Sequence, residues 1–392
     1  MEQKRIFVSG NDAVAMGARL ARPHVISAYP ITPQTIVVER LSDYVEDGSL
    51  EAEFMYVESE HSAMSAAMGV SSVGARAFTA TSSQGLLHMA EAMHYASGAR
   101  FPIVMMNANR AVAVPWSIYG DQRDSLGLLD SGWIQVYVED AQEALDMTIQ
   151  AYKIAEKPDV LTPFMVNLDG FVLTHTYEPV CIPAQEMVDQ FLPTYETTNK
   201  MDLDNPTSLC FSSAPADNME FKYVQNQGME ASRAHIEQID KEYGDMFGRY
   251  YGGMTESYKC EDAEVVLVTL GSVTGTARTV VDELRDQGHK VGVFKIRYMR
   301  PFPEMELRQL GEKVKILGIL EKNFSFGYEG TVFTNVNSAL TSLEEVPYTQ
   351  NFIAGFGGRD ISKDNVLDMF NMLLKKEGKR VEFIGLGVEI DG

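Results

Sequence analysis

The chain has 392 residues, 45% of them hydrophobic, which is enough for two domains with separate cores. Lys plus Arg number 33 and Asp plus Glu 55, a formal charge of −22. Such acidity argues against nucleic acid, whose phosphates it would repel, and suits a soluble chain or one that docks a basic partner.

No run of about 18 apolar residues appears, so no membrane span is expected. The start Met1-Glu-Gln-Lys-Arg-Ile6 lacks the apolar core of a signal peptide, and a cytoplasmic location follows as the expectation. Cys181, Cys210 and Cys260 lie far apart with no C-x-x-C pair. Reduced structural thiols are expected there, not a cluster or zinc site within this chain.

Residues 6–175 alternate short β-rich runs with Ala-rich amphipathic stretches. A strand at Ile6–Val8 leads to a helix over Asn11–Ala21 whose polar start suits capping. A strand at Val25–Ala28, a helix over Gln34–Tyr44 and a strand at Phe54–Val57 follow. Next come a helix over Ser59–Val73, a strand at Ala77–Ala80, a helix over Gly85–Ala96 and a strand at Pro102–Met106. A helix over Ala141–Ala155 and a strand at Val160–Leu168 close the series. This alternation predicts an α/β fold with a mostly parallel sheet covered on both faces.

Residues 178–262 break the rhythm, with 16 acidic and 6 basic side chains. Helical spacing appears only over Met229–Tyr243. The segment reads as a linker arm with little core potential, wrapping the first domain or a partner. A second α/β unit then begins with strands at Ala263–Leu270, Lys290–Lys295 and Ile316–Glu321. A helix over Ala277–Gln287 and a late turn at Gly355–Gly358 belong to it.

The turn Tyr29-Pro-Ile-Thr-Pro33 is the most informative local feature. Its two prolines fix φ and remove donors, which makes a stiff non-helical turn after the strand Val25–Ala28. Open α/β sheets bind ligands at the carboxyl ends of their strands. Thr32 is expected there with its hydroxyl outward. Glu60 follows a second strand and opens a helix, where a carboxylate also satisfies the helix dipole. Ser83 follows a third strand. Arg110 follows a fourth, where a guanidinium fork suits a carboxylate. The spacing predicts Thr32, Glu60, Ser83 and Arg110 on one rim.

Other features read more plainly. Glu58 is given no role and reads as a surface or helix-start acid. The seven histidines show no metal spacing, and only His61 is expected near the site. The Gly-rich turn Gly271–Ala277 is neither a dinucleotide fingerprint nor a Walker sequence and is expected to be structural. Gly120-Asp-Gln-Arg-Asp124 is a weak magnesium signal. The methionines Met55, Met64, Met68, Met89, Met93, Met105 and Met106 are expected to fill the core.

Several stretches together resemble the alpha subunit of the multi-subunit 2-oxoacid:ferredoxin oxidoreductases, most closely the pyruvate (pyruvate synthase) and 2-oxoisovalerate members. They are Tyr29-Pro-Ile-Thr-Pro33, Glu58-Ser-Glu-His61, Thr79-Ala-Thr-Ser-Ser-Gln-Gly-Leu86, Asn109-Arg-Ala111, Ser117–Ser125, Gly132-Trp-Ile-Gln135 and Leu168–His175. The resemblance implies two domains: residues 1–256 as a thiamin-diphosphate-fold pyrimidine-binding domain that includes the acidic arm, and residues 257–392 as a transketolase C-terminal-like domain.

It implies oxidative decarboxylation of pyruvate with coenzyme A to acetyl-CoA, CO2 and reduced ferredoxin. The alternatives are a branched-chain (2-oxoisovalerate) enzyme and a non-catalytic α/β scaffolding subunit. It further implies thiamin diphosphate shared with a beta subunit, partner beta, gamma and delta subunits, and Mg2+ and 4Fe-4S clusters held by those partners.

Residue by residue, the resemblance maps Glu60 onto the carboxylate that hydrogen-bonds N1′ of the aminopyrimidine. It maps Thr32 and Arg110 onto binders of the substrate's carboxylate and keto oxygen. Tyr29, Pro30, Ser83 and Gln84 fall in cofactor-binding stretches. Relatives acting on oxalate replace the threonine by a basic residue. Those acting on 2-oxoglutarate tend to carry Ser-Gly-Pro-Gly where this chain has Ser82-Ser-Gln-Gly85. Pyruvate is therefore expected first.

Overall fold

Runs three to six residues long, most of them hydrophobic, become two largely parallel sheets. The computed structural model describes residues 4–387. The first sheet has seven strands in the spatial order Tyr298–Arg300, Ile134–Tyr137, Phe164–Asp169, Val104–Asn109, Ala77–Thr81, Val25–Ala28, Glu53–Tyr56. All neighbours are parallel except Tyr298–Arg300, which is antiparallel at one edge. The four strands between 77 and 169 are buried along their whole length, as helices on both faces require.

One face carries the helices Gly10–Ala21 and Ala141–Ala155, with Val14, Leu145 and Phe164 in one core. The other carries Glu60–Ser72 and Ala90–Gly98, with Met64, Met89, Met93, Met105 and Trp133 packed together. Most of the methionines are core filler. Met55, on the edge strand, is exposed instead.

The second sheet has six strands in the order Val381–Phe383, Tyr348–Ile353, Ile316–Glu321, Val265–Leu270, Val291–Ile296, Thr255–Tyr258. Only Thr255–Tyr258 is antiparallel.

Four expectations change. The first strand, Lys4–Ser9, stays out of the main sheet and pairs antiparallel with Tyr177–Ile182. The strand Ile134–Tyr137 was not predicted. The helix expected over Gly85–Ala96 is two helices, Gln84–His88 and Ala90–Gly98, hinged at Met89, whose backbone leaves helical geometry at φ −92°, ψ 0°. A one-residue bend leaves the apolar periodicity intact, so the pattern does not show it.

The acidic connection is the fourth. Its second half is a 33-residue helix, Pro215–Phe247. Ile236, Ile239, Tyr243 and Phe247 on one stripe of that helix are buried in the first core. Tyr243 also donates to the buried Asp146 at 2.6 Å. Sparse apolar residues at helical spacing supply core that bulk acidity conceals.

The two sheets are tied by buried charge. Glu143, in the helix Ala141–Ala155, receives Lys295 Nζ at 2.7 Å and Arg297 Nε at 2.6 Å from the second unit. Asp169 ends a strand of the first sheet. Its carboxylate accepts the Ser272 N–H and Lys322 Nζ, both at 2.9 Å. The turn expected over Gly271–Ala277 is shorter than read, since the helix already begins at Val273, and its role is structural. The anion at its helix start is the chain's own Asp169, and a Cβ at Gly271 would lie 2.8 Å from that carboxylate.

Candidate active site

Val104–Asn109, Ala77–Thr81, Val25–Ala28 and Glu53–Tyr56 are consecutive parallel neighbours. Their carboxyl ends therefore lie along one edge. The segments that leave them carry the four residues predicted to share a rim, and the structure brings these together.

Two buried amides clamp the turn after Val25–Ala28. Gln34 Nε2 donates to the Tyr29 carbonyl at 3.0 Å and Asn11 Nδ2 to the Pro33 carbonyl at 2.8 Å. Tyr29, Pro30 and Thr32 stand exposed above them.

Glu60 is the first residue of its helix, capped by Ser59, whose hydroxyl accepts the Ser62 N–H at 3.2 Å. Glu60 is only 7% exposed. Burying a carboxylate costs several kcal/mol or more unless partners compensate. Its hydrogen-bonding neighbour is His88, with Nδ1 at 3.2 Å from Oε2. A Cβ at Gly85 would lie 2.6 Å from Glu60 Oε1 and 2.6 Å from Thr81 Oγ1. Thr81 Oγ1 is itself buried with no hydrogen-bond partner among the described residues. A buried carboxylate, an orphaned hydroxyl and a glycine notch form a cradle for a polar group with a protonatable nitrogen. A thiamin aminopyrimidine fits that chemistry.

Glu58 is exposed and accepts the Ser62 hydroxyl, which draws its pKa below the usual carboxylate value. It lies just before the Ser59 cap of that helix, as a surface acid. His61 lies near the site, its ring centroid 6.3 Å from that of His88 and Nε2 4.0 Å from Glu91, but it makes no hydrogen bond to the Glu60 carboxylate among the described residues. The histidine on Glu60 is His88, which was not among the residues expected at the site. Its spacing of three from Gly85 on the following helix was the available signal.

Ser83 is buried in a left-handed backbone conformation, φ 52°. Its hydroxyl donates to the Ala111 carbonyl at 2.6 Å, so the chain itself occupies it. Gln84 is half-buried beside it. Arg110 is buried, and desolvation draws its pKa below the usual arginine value. Nη1 donates to the Thr32 carbonyl at 3.0 Å and Nε to the Ser117 carbonyl at 3.2 Å. Its other three N–H groups have no partner among the described residues. Arg110 thus locks the proline-rich turn to the 117 loop and keeps donors in reserve.

Asp124 was missed. It lies in a run weighed as a weak magnesium signal and as part of the resemblance, with no role given to Asp124 itself. Fully buried, it accepts the N–H groups of Ser83 and Arg110 at 3.1 Å each and Asn109 Nδ2 at 2.8 Å. Burial pushes its carboxyl up to about 6 against these bonds. It binds the Ser83 turn and the Arg110 turn into one unit. No group of three or more His, Cys, Asp or Glu among the described residues is arranged to hold a metal ion.

Residues 16–241 match the family model for pyruvate flavodoxin/ferredoxin oxidoreductase, thiamine diphosphate-binding, and residues 263–366 match pyruvate:ferredoxin oxidoreductase core domain II. The chain is 48% identical over 382 residues to pyruvate synthase subunit PorA of Methanothermobacter thermautotrophicus, covering 97% of this chain and 98% of that one. It is 45% identical over 360 residues to ketoisovalerate oxidoreductase subunit VorA of Pyrococcus horikoshii, covering 92% and 91%. Among solved structures it resembles a 2-oxoglutarate:ferredoxin oxidoreductase from Magnetococcus marinus with 2-oxoglutarate, coenzyme A and succinyl-CoA bound. The TM-score is 0.74 at 21% identity, and the match covers 95% of this chain and 66% of that one, a likeness of fold.

Proposed function

The chain belongs to the pyruvate flavodoxin/ferredoxin oxidoreductase family, and we infer that it is the alpha subunit of a pyruvate:ferredoxin oxidoreductase. The observation that carries the reading is the buried Glu60 carboxylate, in its glycine-lined cradle, on the same rim as Arg110 and Thr32. The reaction is thiamin-diphosphate-dependent oxidative decarboxylation of pyruvate with coenzyme A. Branched-chain 2-oxoacids are the second reading, supported by the 45% identity to the ketoisovalerate subunit.

Thiamin diphosphate, when bound, supplies a carbon nucleophile for the keto carbon and takes up the electron pair left as CO2 departs. Glu60 is proposed to hold the aminopyrimidine by sharing a proton at N1′. Tyr29, Pro30, Ser83 and Gln84 are proposed to shape the pocket around it. Ser83 does so through backbone position, since its hydroxyl is engaged. Arg110 and Thr32 are proposed to orient the substrate's carboxylate and keto oxygen.

Beta, gamma and delta subunits are the proposed partners, with Mg2+ and 4Fe-4S clusters held by them and ferredoxin as electron acceptor. The scattered cysteines of this chain support that division. A cytoplasmic site of action accords with the absence of any described helix long and apolar enough to cross a membrane. We place the boundary between the proposed domains near residue 256, although Tyr298–Arg300 returns to the first sheet.

The test is turnover of the assembled complex with coenzyme A and a panel of 2-oxoacids, with pyruvate expected to be used best. The chain purified alone should carry no iron and show no turnover. Stoichiometric iron in it, or activity without partners, would overturn the assignment of subunit roles. Arg110→Ala should worsen both KM and kcat/KM for pyruvate while thiamin diphosphate still binds. Losing one charge-assisted hydrogen bond costs about 1.5–3 kcal/mol, or roughly 10- to 160-fold in kcat/KM. Unchanged pyruvate kinetics, or lost cofactor binding, would make Arg110 a structural charge.

A further inference from the structure

We propose that His88 is the positioning residue for Glu60, holding its carboxylate in the working orientation. The inference rests on the reading of Glu60 given above. The helix Gln84–His88 packs directly on the Glu60 side chain. Residues 85 and 88 lie three apart and share one face of that helix. The missing Cβ of Gly85 makes room for Oε1, and His88 Nδ1 reaches Oε2 at 3.2 Å. One short helix thus meets both oxygens, leaving room for one at Gly85 and hydrogen-bonding the other through His88.

A hydrogen bond from His88 to the carboxylate uses the imidazole tautomer with its proton on Nδ1. The His88 side chain is 57% exposed while that of Glu60 is 10% exposed. His88 therefore bridges the buried carboxylate to solvent. The other titratable groups nearby are His61, whose ring centroid lies 6.3 Å from that of His88, and Glu91, 4.0 Å from His61. Neither makes a hydrogen bond to Glu60 among the described residues. Without His88 the carboxylate keeps its place in the chain but loses the contact that selects its rotamer.

The test uses the assembled complex loaded with thiamin diphosphate and coenzyme A. His88→Leu should lower kcat for pyruvate about tenfold, with KM and thiamin diphosphate affinity each changed less than about threefold. Deuterium exchange at C2 of the bound cofactor, followed by NMR, should slow by the same factor. His88→Asn places an amide N–H near the position of Nδ1 and should recover most of the rate. In a Glu60→Gln background, His88→Leu should cost nothing further, since its effect runs through the carboxylate. If Glu60→Gln is slow while His88→Leu is silent in the wild-type background, or costs its full factor again in the Glu60→Gln background, the proposal alone is overturned. A Glu60→Gln enzyme of normal rate overturns the reading of Glu60 and the proposal with it.

Discussion

Glu60→Gln should leave the fold and cofactor content unchanged and lower kcat by about 10²-fold or more, the usual share of acid–base activation. The substitution is nearly isosteric and keeps a hydrogen-bonding group in the cradle beside Gly85 and Thr81. What it removes is the ability to hold and share a proton at N1′. An amide does not ionise near neutral pH, so activation is lost while binding contacts persist. The loss should therefore fall on kcat and leave KM for pyruvate little changed. Steady-state kinetics of the assembled complex, beside a thiamin diphosphate titration, measure it. Near-normal turnover with normal cofactor content would return Glu60 to the role of a helix-start acid satisfying the dipole.

The second large effect concerns assembly of the two sheets. Glu143 is fully buried and receives both Lys295 and Arg297. Burial alone would raise its carboxyl pKa, but the two cations outweigh that and hold it at about 2. Glu143→Gln leaves two buried cations facing a neutral amide. Removing one partner of a buried charge group costs about 3–5 kcal/mol.

The pH dependence follows from the sign of the shift. The folded pKa lies below the ordinary glutamate value of 4.5, so the ionised carboxylate stabilises the fold above about pH 4.5. That contribution declines as pH falls from there toward 2. Urea unfolding of the wild-type and Glu143→Gln chains at pH 7 should show the full difference, and the difference should shrink between pH 4.5 and 2. A change below about 1 kcal/mol at pH 7 would mean that Glu139 and Glu256, which also pair with this cation cluster, carry the joint without it.

The elements that depend on local pattern were legible. Alternating apolar runs predicted the parallel sheet, because β-branched and Ala-rich segments encode strand and helix over a few residues. The prolines of Tyr29–Pro33 fixed a turn whatever its neighbours did. Placing one polar residue after each of four strands was enough to predict a shared rim, since adjacent parallel strands end on the same side.

What sequence position alone left open was decided by contacts between distant segments. His88 became the neighbour of Glu60 because a short helix 28 residues downstream folds back over it. Asp124 became the joint of two turns through bonds spanning 14 and 41 residues. The acidic arm found its core only when Ile236, Ile239, Tyr243 and Phe247 met the helix Ala141–Ala155. The Gly-rich turn at 271 met its anion in Asp169, 103 residues away. Local propensity sets which elements form. Burial and charge pairing between elements, which no short window contains, set what each of these side chains does.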